Sequence, residues 1–148
     1  VIDGSFVNAL GGQLVLEVAS NGAGGFVTDQ LVFTNTSTLN LTGLQVEFQF
    51  LGSADPNAFQ RSGAFGTATF FAQQNAQGQA TALDDAAFGD VVFTASSQAY
   101  TIDDFSFSAA GGAQFSAQPV PEPATWALWL AGAAALGGLA RRRNRATA

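Results

Sequence analysis

The feature that most restricts the fold of this chain lies near its end. From Ala124 to Ala140 the sequence reads ATWALWLAGAAALGGLA, seventeen residues without a charge. Pro121 and Pro123 stand on one side of the run, and Arg141, Arg142, Arg143 and Arg145 on the other. Proline is not tolerated inside a helix, so a helix here has to begin after the prolines. At 1.5 Å per residue the run reaches about 26 Å, slightly short of a hydrocarbon core of roughly 30 Å. Snorkelling arginines and an interfacial pair, Trp126 and Trp129, close that gap. The pattern therefore predicts a single C-terminal transmembrane helix over 124–140. The positive-inside rule makes residues 141–148 a cytoplasmic Arg-rich tail and puts everything before Pro121 across the membrane. The competing reading, a buried helix of a water-soluble domain, has to explain a helix with no polar face that ends in RRRNR.

Charge separates the same two regions. Residues 1–118 hold ten of the eleven acids and a single base, Arg61, while the other four arginines crowd the C-terminus. All fourteen phenylalanines precede residue 118, and both tryptophans follow it. The chain has no lysine, histidine, cysteine or methionine. Disulfides, thiolate or imidazole metal sites, Cys or His catalysis and Schiff-base lysines are excluded by that inventory. A serine nucleophile has no evident base, so no enzyme activity and no cofactor are expected. A net charge of -6 and a pI near 4.1 argue against a nucleic-acid partner. Within the anchor, Gly132, Gly137 and Gly138 are small, and Ala133/Gly137 and Ala134/Gly138 lie four apart, a spacing that lets another helix approach closely.

Val120-Pro121-Glu122-Pro123, then a short apolar helix, then an arginine cluster at the extreme C-terminus, closely resembles the PEP-CTERM sorting signal of Gram-negative bacteria. The resemblance covers about residues 119–148. It implies export by a signal peptide and retention in the inner membrane by the helix. It further implies cleavage near the prolines by an exosortase, a membrane-embedded cysteine transpeptidase, with release to the cell surface. Proteins with this signal are commonly associated with exopolysaccharide or biofilm matrix. Two prolines favour an extended stretch, a form a protease-like cleft can accept as a strand. Val1 is not an initiator residue and the sequence contains no methionine, so removal of a secretory signal peptide is expected.

Residues 1–118 are predicted to be an exported all-β domain, a jelly-roll-like β-sandwich, joined to the helix by a Pro-rich linker over 119–123. Between Leu41 and Leu51 the alternation is clean, with Leu44, Val46, Phe48 and Phe50 on one face and Gln45, Glu47 and Gln49 on the other. Weaker runs cover Gln13 to Ala19, Gly25 to Asn35, Ala64 to Gln73, Val91 to Ala95 and Tyr100 to Ala109. In the last run the apolar parity shifts across Asp103-Asp104, which predicts a bulge or a change of face. Turn signals at Asn21-Gly22, Gly24-Gly25, Asn40, Asp55-Pro56-Asn57, Gly78 and Gly111-Gly112 separate the runs. Asn75 to Phe88 is Ala/Gln-rich and can hold a short helix, and no internal repeat is evident.

Candidate chemistry in the domain is sparse. Asp84, Asp85, Asp90, Asp103 and Asp104 could supply oxygen ligands to Ca²⁺, although their spacing does not match an EF-hand and solvated acidic turns are the commoner reading. Glu17 and Glu47 form a conceivable glycosidase pair, but both fall at positions expected on a solvent-facing side. Sugar platforms are usually Trp or Tyr, and the domain offers only Tyr100, with Phe59 beside Gln60 and Arg61 as a loop alternative or a core anchor. The sequons at Asn35 and Asn40 read as turn composition. Three functions follow. One is a structural surface or matrix protein whose partners are the membrane, an exosortase-like transpeptidase and exopolysaccharide. Another is a single-pass subunit of a membrane complex with its tail retained against other helices. The third is a Ca²⁺- or carbohydrate-binding module.

Overall fold

A computed structural model describes residues 1–9, 11–34, 38–75, 77–81, 83, 85–108, 111–121, 126–134 and 136. The chain is mostly β. Alternation sets the faces of its two long early strands, β3 (Gln13–Ser20) and β7 (Gln45–Phe50), which bury Leu16 and Val18 and Val46, Phe48 and Phe50 respectively. A later strand, β10 (Val92–Ser97), lies beside β7, and all three run parallel, with Gln13 opposite Gln45 and Gln45 opposite Val92. Inward ladders result: Leu14, Val46 and Phe93; Leu16, Phe48 and Ala95; Val18, Phe50 and Ser97. Each fully buried apolar side chain in such a ladder contributes about 1.5–3 kcal/mol.

Parallel pairing recurs at the start of the chain. The short strands β1 (Ile2–Asp3) and β2 (Phe6–Val7) lie on β5 (Leu31–Thr34) and β6 (Leu39–Asn40), with Ile2 opposite Phe33 and Phe6 opposite Leu39. The chain therefore returns onto itself 31, 33 and 32 residues on at β1, β2 and β3. A third turn stacks β8 (Phe71–Gln74) on β5 and β10 on β7, after 40 and 47 residues. These returns form a short coil of stacked turns, each in contact with its neighbour, as in a solenoid. The jelly-roll-like expectation needs correction here. Long-range pairs in the coil are parallel, and its two four-stranded sheets, ordered β1-β5-β8-β9 with β9 at Ala80–Thr81 and β10-β7-β3-β4 with β4 at Phe26–Thr28, do not close into a sandwich among the described residues. Alternation identifies the buried face of a strand and carries no information on the direction of its neighbour. The coil is also a repeat of structure without a repeat of sequence.

Where the chain departs from its local pattern, side chains near the backbone explain it. The run from Gly25 breaks into β4 (Phe26–Thr28) and β5 because Asp29 turns back to β3, giving its N–H to the Glu17 carbonyl at 2.9 Å and accepting the Glu17 N–H at 3.1 Å. Asp55-Pro56-Asn57 is a helix start rather than a turn. Asp55 caps α1 (Pro56–Arg61) by accepting the Asn57 N–H at 2.9 Å, and Pro56 takes the first position. Ala64 to Gln73 starts as the helical turn α2 (Thr67–Phe70) before becoming β8. Within Asn75 to Phe88, where the sequence allows a short helix, the chain forms β9 (Ala80–Thr81) and then a short 3-10 helix over Asp85–Phe88. The expected bulge is present. In β11 (Tyr100–Ser108) the register shifts between Asp103 and Ser106, and Asp104 has φ 55°.

The core is a phenylalanine network. Phe65 lies at its centre, within about 5 to 6 Å of Phe48, Phe50, Phe59, Phe70, Phe105, Phe107 and Phe115. Phe26, Phe71, Phe88 and Phe93 join it through these rings, while Phe6 and Phe33 pair separately. Gly112 opens β12 (Gly112–Pro119) beside this cluster, with φ 69° and the Phe65 carbonyl oxygen only 2.6 Å from where a Cβ would lie. Only glycine fits that approach.

Candidate functional site

The C-terminal segment emerges from β12, so its setting depends on what holds that strand. One edge of β12 pairs antiparallel with β11, from Gly112 opposite Ser108 to Pro119 opposite Tyr100. Helix α1 holds the strand as well. Asn57 Nδ2 donates to the Ala117 carbonyl at 2.9 Å, and Gln60 Nε2 donates to the Ala113 carbonyl at 3.0 Å. Carbonyls four residues apart point to the same side of a strand, and amides three apart share a helix face, so one face of α1 serves both. Past the strand, the Val120 N–H donates to the Ala99 carbonyl at 2.8 Å. Fixed backbone thus extends to Val120, and Val120 and Pro121 are exposed.

Beside this exit lies an open groove. Its walls are Ser53, Gln98, Ala99 and Tyr100 of the body, and its floor continues through Pro119 to Pro121. Among the described residues no Asp, Glu or Arg lines it. Sequence reading marks Asn57 only as a turn residue and Gln60 only as a neighbour of Phe59, and does not place Ser53, Gln98 and Ala99 beside Pro119, because these residues meet through contacts about 20 to 70 residues apart. The one local trace is the pair of amides three apart after a helix-starting Asp-Pro.

The tail that follows is helical over 126–134 and at 136. Its described side chains are all exposed, with Trp126 at 60%, Trp129 at 75% and Leu128 at 77%. The alternative of a helix buried in the domain core is thereby set aside for these residues. Leu128, Trp129, Gly132, Ala133 and Leu136 line one apolar side, and a Cβ added at Gly132 would meet nothing within 4 Å. Among the described residues no helix is long and apolar enough to cross a membrane. Glu122, Pro123, Gly137, Gly138, Arg141, Arg142, Arg143 and Arg145 lie outside the described residues.

The remaining candidates are scattered. Among the described residues no three acidic side chains gather as a cation would require. Asp103 and Asp104 are exposed at the bulge, and Asp90 is exposed at a turn where its carbonyl accepts the Gly43 N–H at 3.1 Å. Asp85 begins the 3-10 turn, and Asp84 is outside the described residues. Glu17 and Glu47 lie on the outer face of their sheet, two register positions apart, and Glu47 accepts the Ser96 hydroxyl at 2.5 Å. Phe59 is fully buried, the core role of its two readings, and Tyr100 is half-buried on the groove wall.

Comparison with known families settles what the exposed exit is. A family model described as PEP-CTERM protein-sorting motif matches residues 119–144. The chain carries a PEP-CTERM sorting motif. The motif opens on Pro119, the last residue of β12, so the family boundary coincides with the end of the folded strand. A PEP-CTERM motif supports a surface protein directed to exosortase sorting, with export and membrane association. No match was found among the curated proteins or the solved structures.

Proposed function

We propose that this chain is a non-enzymatic structural protein of the cell surface or extracellular matrix, sorted through its PEP-CTERM motif. The tail helix anchors it in the inner membrane with the arginines in the cytoplasm, and the β coil stands on the far side. An exosortase-like transpeptidase then acts near Pro121-Glu122-Pro123 and delivers the coil to the surface, where exopolysaccharide is its expected neighbour. The observation that carries this reading is the position of the motif. Ordered strand ends at Pro119, and the apolar segment beyond it leaves Trp126, Leu128, Trp129 and Leu130 exposed rather than folded into the body. Side chains of that kind need a solvent other than water.

Deletion of residues 119–148 tests the proposal. The truncated coil is expected to leave the membrane fraction entirely and to be lost to the medium or periplasm; unchanged surface retention in fractionated cells overturns it.

A second reading, a single-pass subunit with the tail retained, is favoured by the notch at Gly132 on the apolar side of the helix, which offers close approach to another helix. Intact mass separates the two: a mature protein that still contains Arg141 to Ala148 belongs to the second.

A further inference from the structure

The chain leading into the motif is held close to a wall of the folded body, and that closeness has a steric consequence. From Val120 to Trp126 there are six peptide steps, a reach of at most about 21 Å at roughly 3.5 Å each. Val120 itself is tied to Ala99, and β12 behind it is tied to β11 and to the amides of Asn57 and Gln60. A membrane-embedded enzyme that closes on Pro121, Glu122 and Pro123 therefore meets the body on its first approach. What it meets is the groove formed by Ser53, Gln98, Ala99 and Tyr100, which runs without a break into Pro119, Val120 and Pro121. In a body with ten acids and one base, the described residues of this surface include no Asp, Glu or Arg.

Resting on the reading of the motif above, we propose that this groove is the body-side half of the docking surface for the sorting transpeptidase, and that it fits an uncharged protein rim beside the enzyme's cleft. Recognition is then shared between the tail and the fold. Ser53 and Gln98 are exposed loop positions, so charge can be placed there without disturbing the ladders. A charge buried in the contact without a partner is costly in either sign.

The test follows loss of the tail mass over time in cells that express the enzyme, using the full chain. Ser53→Glu with Gln98→Glu, and Ser53→Arg with Gln98→Arg, are each expected to slow processing at least about tenfold. Ala23→Glu and Ala23→Arg, on an exposed turn of the coil, are expected to be processed at the wild-type rate. Wild-type processing of either groove variant overturns the proposal, as does equal slowing by the Ala23 variants. Circular dichroism confirms that each variant is folded. If the groove variants instead weaken partition of the intact chain into phosphatidylethanolamine and phosphatidylglycerol vesicles that lack the enzyme, the groove faces lipid and the proposal falls. Failure of the wild type to be cut, with Pro123→Ala behaving identically, overturns the sorting reading itself and this inference with it.

Discussion

The body and the tail of this protein treat aromatic residues in opposite ways. In the body, Phe48, Phe59 and Phe70 are wholly inaccessible to water, and the Phe70 ring centroid lies 4.6 Å from that of Phe48 and 6.0 Å from that of Phe59. In the tail, Trp126 and Trp129 are exposed over 60% and 75% of their surface. The body packs its phenylalanine rings against one another within one chain, whereas the tail displays its tryptophans along a helix. Two regions that both carry large apolar side chains thus require different surroundings, and the boundary between them falls at Pro119, where both the last strand ends and the sorting motif begins.

The contrast predicts that stability and membrane association separate by mutation. Phe48→Ala removes a ring that contacts Phe65, Phe70, Phe93, Phe105 and Phe107, and is expected to cost about 3–5 kcal/mol in urea unfolding of the detergent-solubilised chain. Membrane association of the folded fraction should be unchanged. The opposite pair, Trp126→Ala with Trp129→Ala, is expected to alter body stability by no more than about 0.5 kcal/mol while weakening membrane partition. A large loss of body stability in that double variant would show that the two regions share a core.

A smaller effect is expected at the point where the strand that leads to the motif begins. Gly112→Ala forces a side chain toward the Phe65 carbonyl at positive φ, with an expected loss of about 1–3 kcal/mol, readable as a lower urea midpoint. The smallest effect concerns the stitch between α1 and β12. Asn57→Ala leaves the Ala117 carbonyl to water and is expected to cost about 1 kcal/mol. It should appear in hydrogen exchange as faster opening at the end of β12, next to the motif, with little change at β3 and β7. Uniform acceleration across all strands would mean that α1 supports the whole coil rather than the exit strand.

Much of this arrangement was legible residue by residue. The alternation from Leu44 to Phe50 identified the buried face of β7, and the parity shift at Asp103-Asp104 located the bulge. Other expectations failed for local reasons: Asp55 caps a helix where Asp-Pro-Asn reads as a turn, and Asp29 interrupts a run that its apolar residues would continue. Strand β12 escaped notice because AQFSAQ has one large apolar residue, Phe115, and owes its place to β11 and to amides from α1.

By itself the sequence determined the division of the molecule, since an uncharged run between prolines and arginines and a body of alternating strands are each written in contiguous residues. Tertiary structure alone decided the neighbours. A period of two is the same in parallel and antiparallel strands, so the stacking of Gln13 on Gln45 and of Gln45 on Val92 depends on how phenylalanines distant in sequence fill one interior. The groove at the motif has the same origin, because Ser53, Tyr100 and Pro119 meet only after the coil has closed around that core.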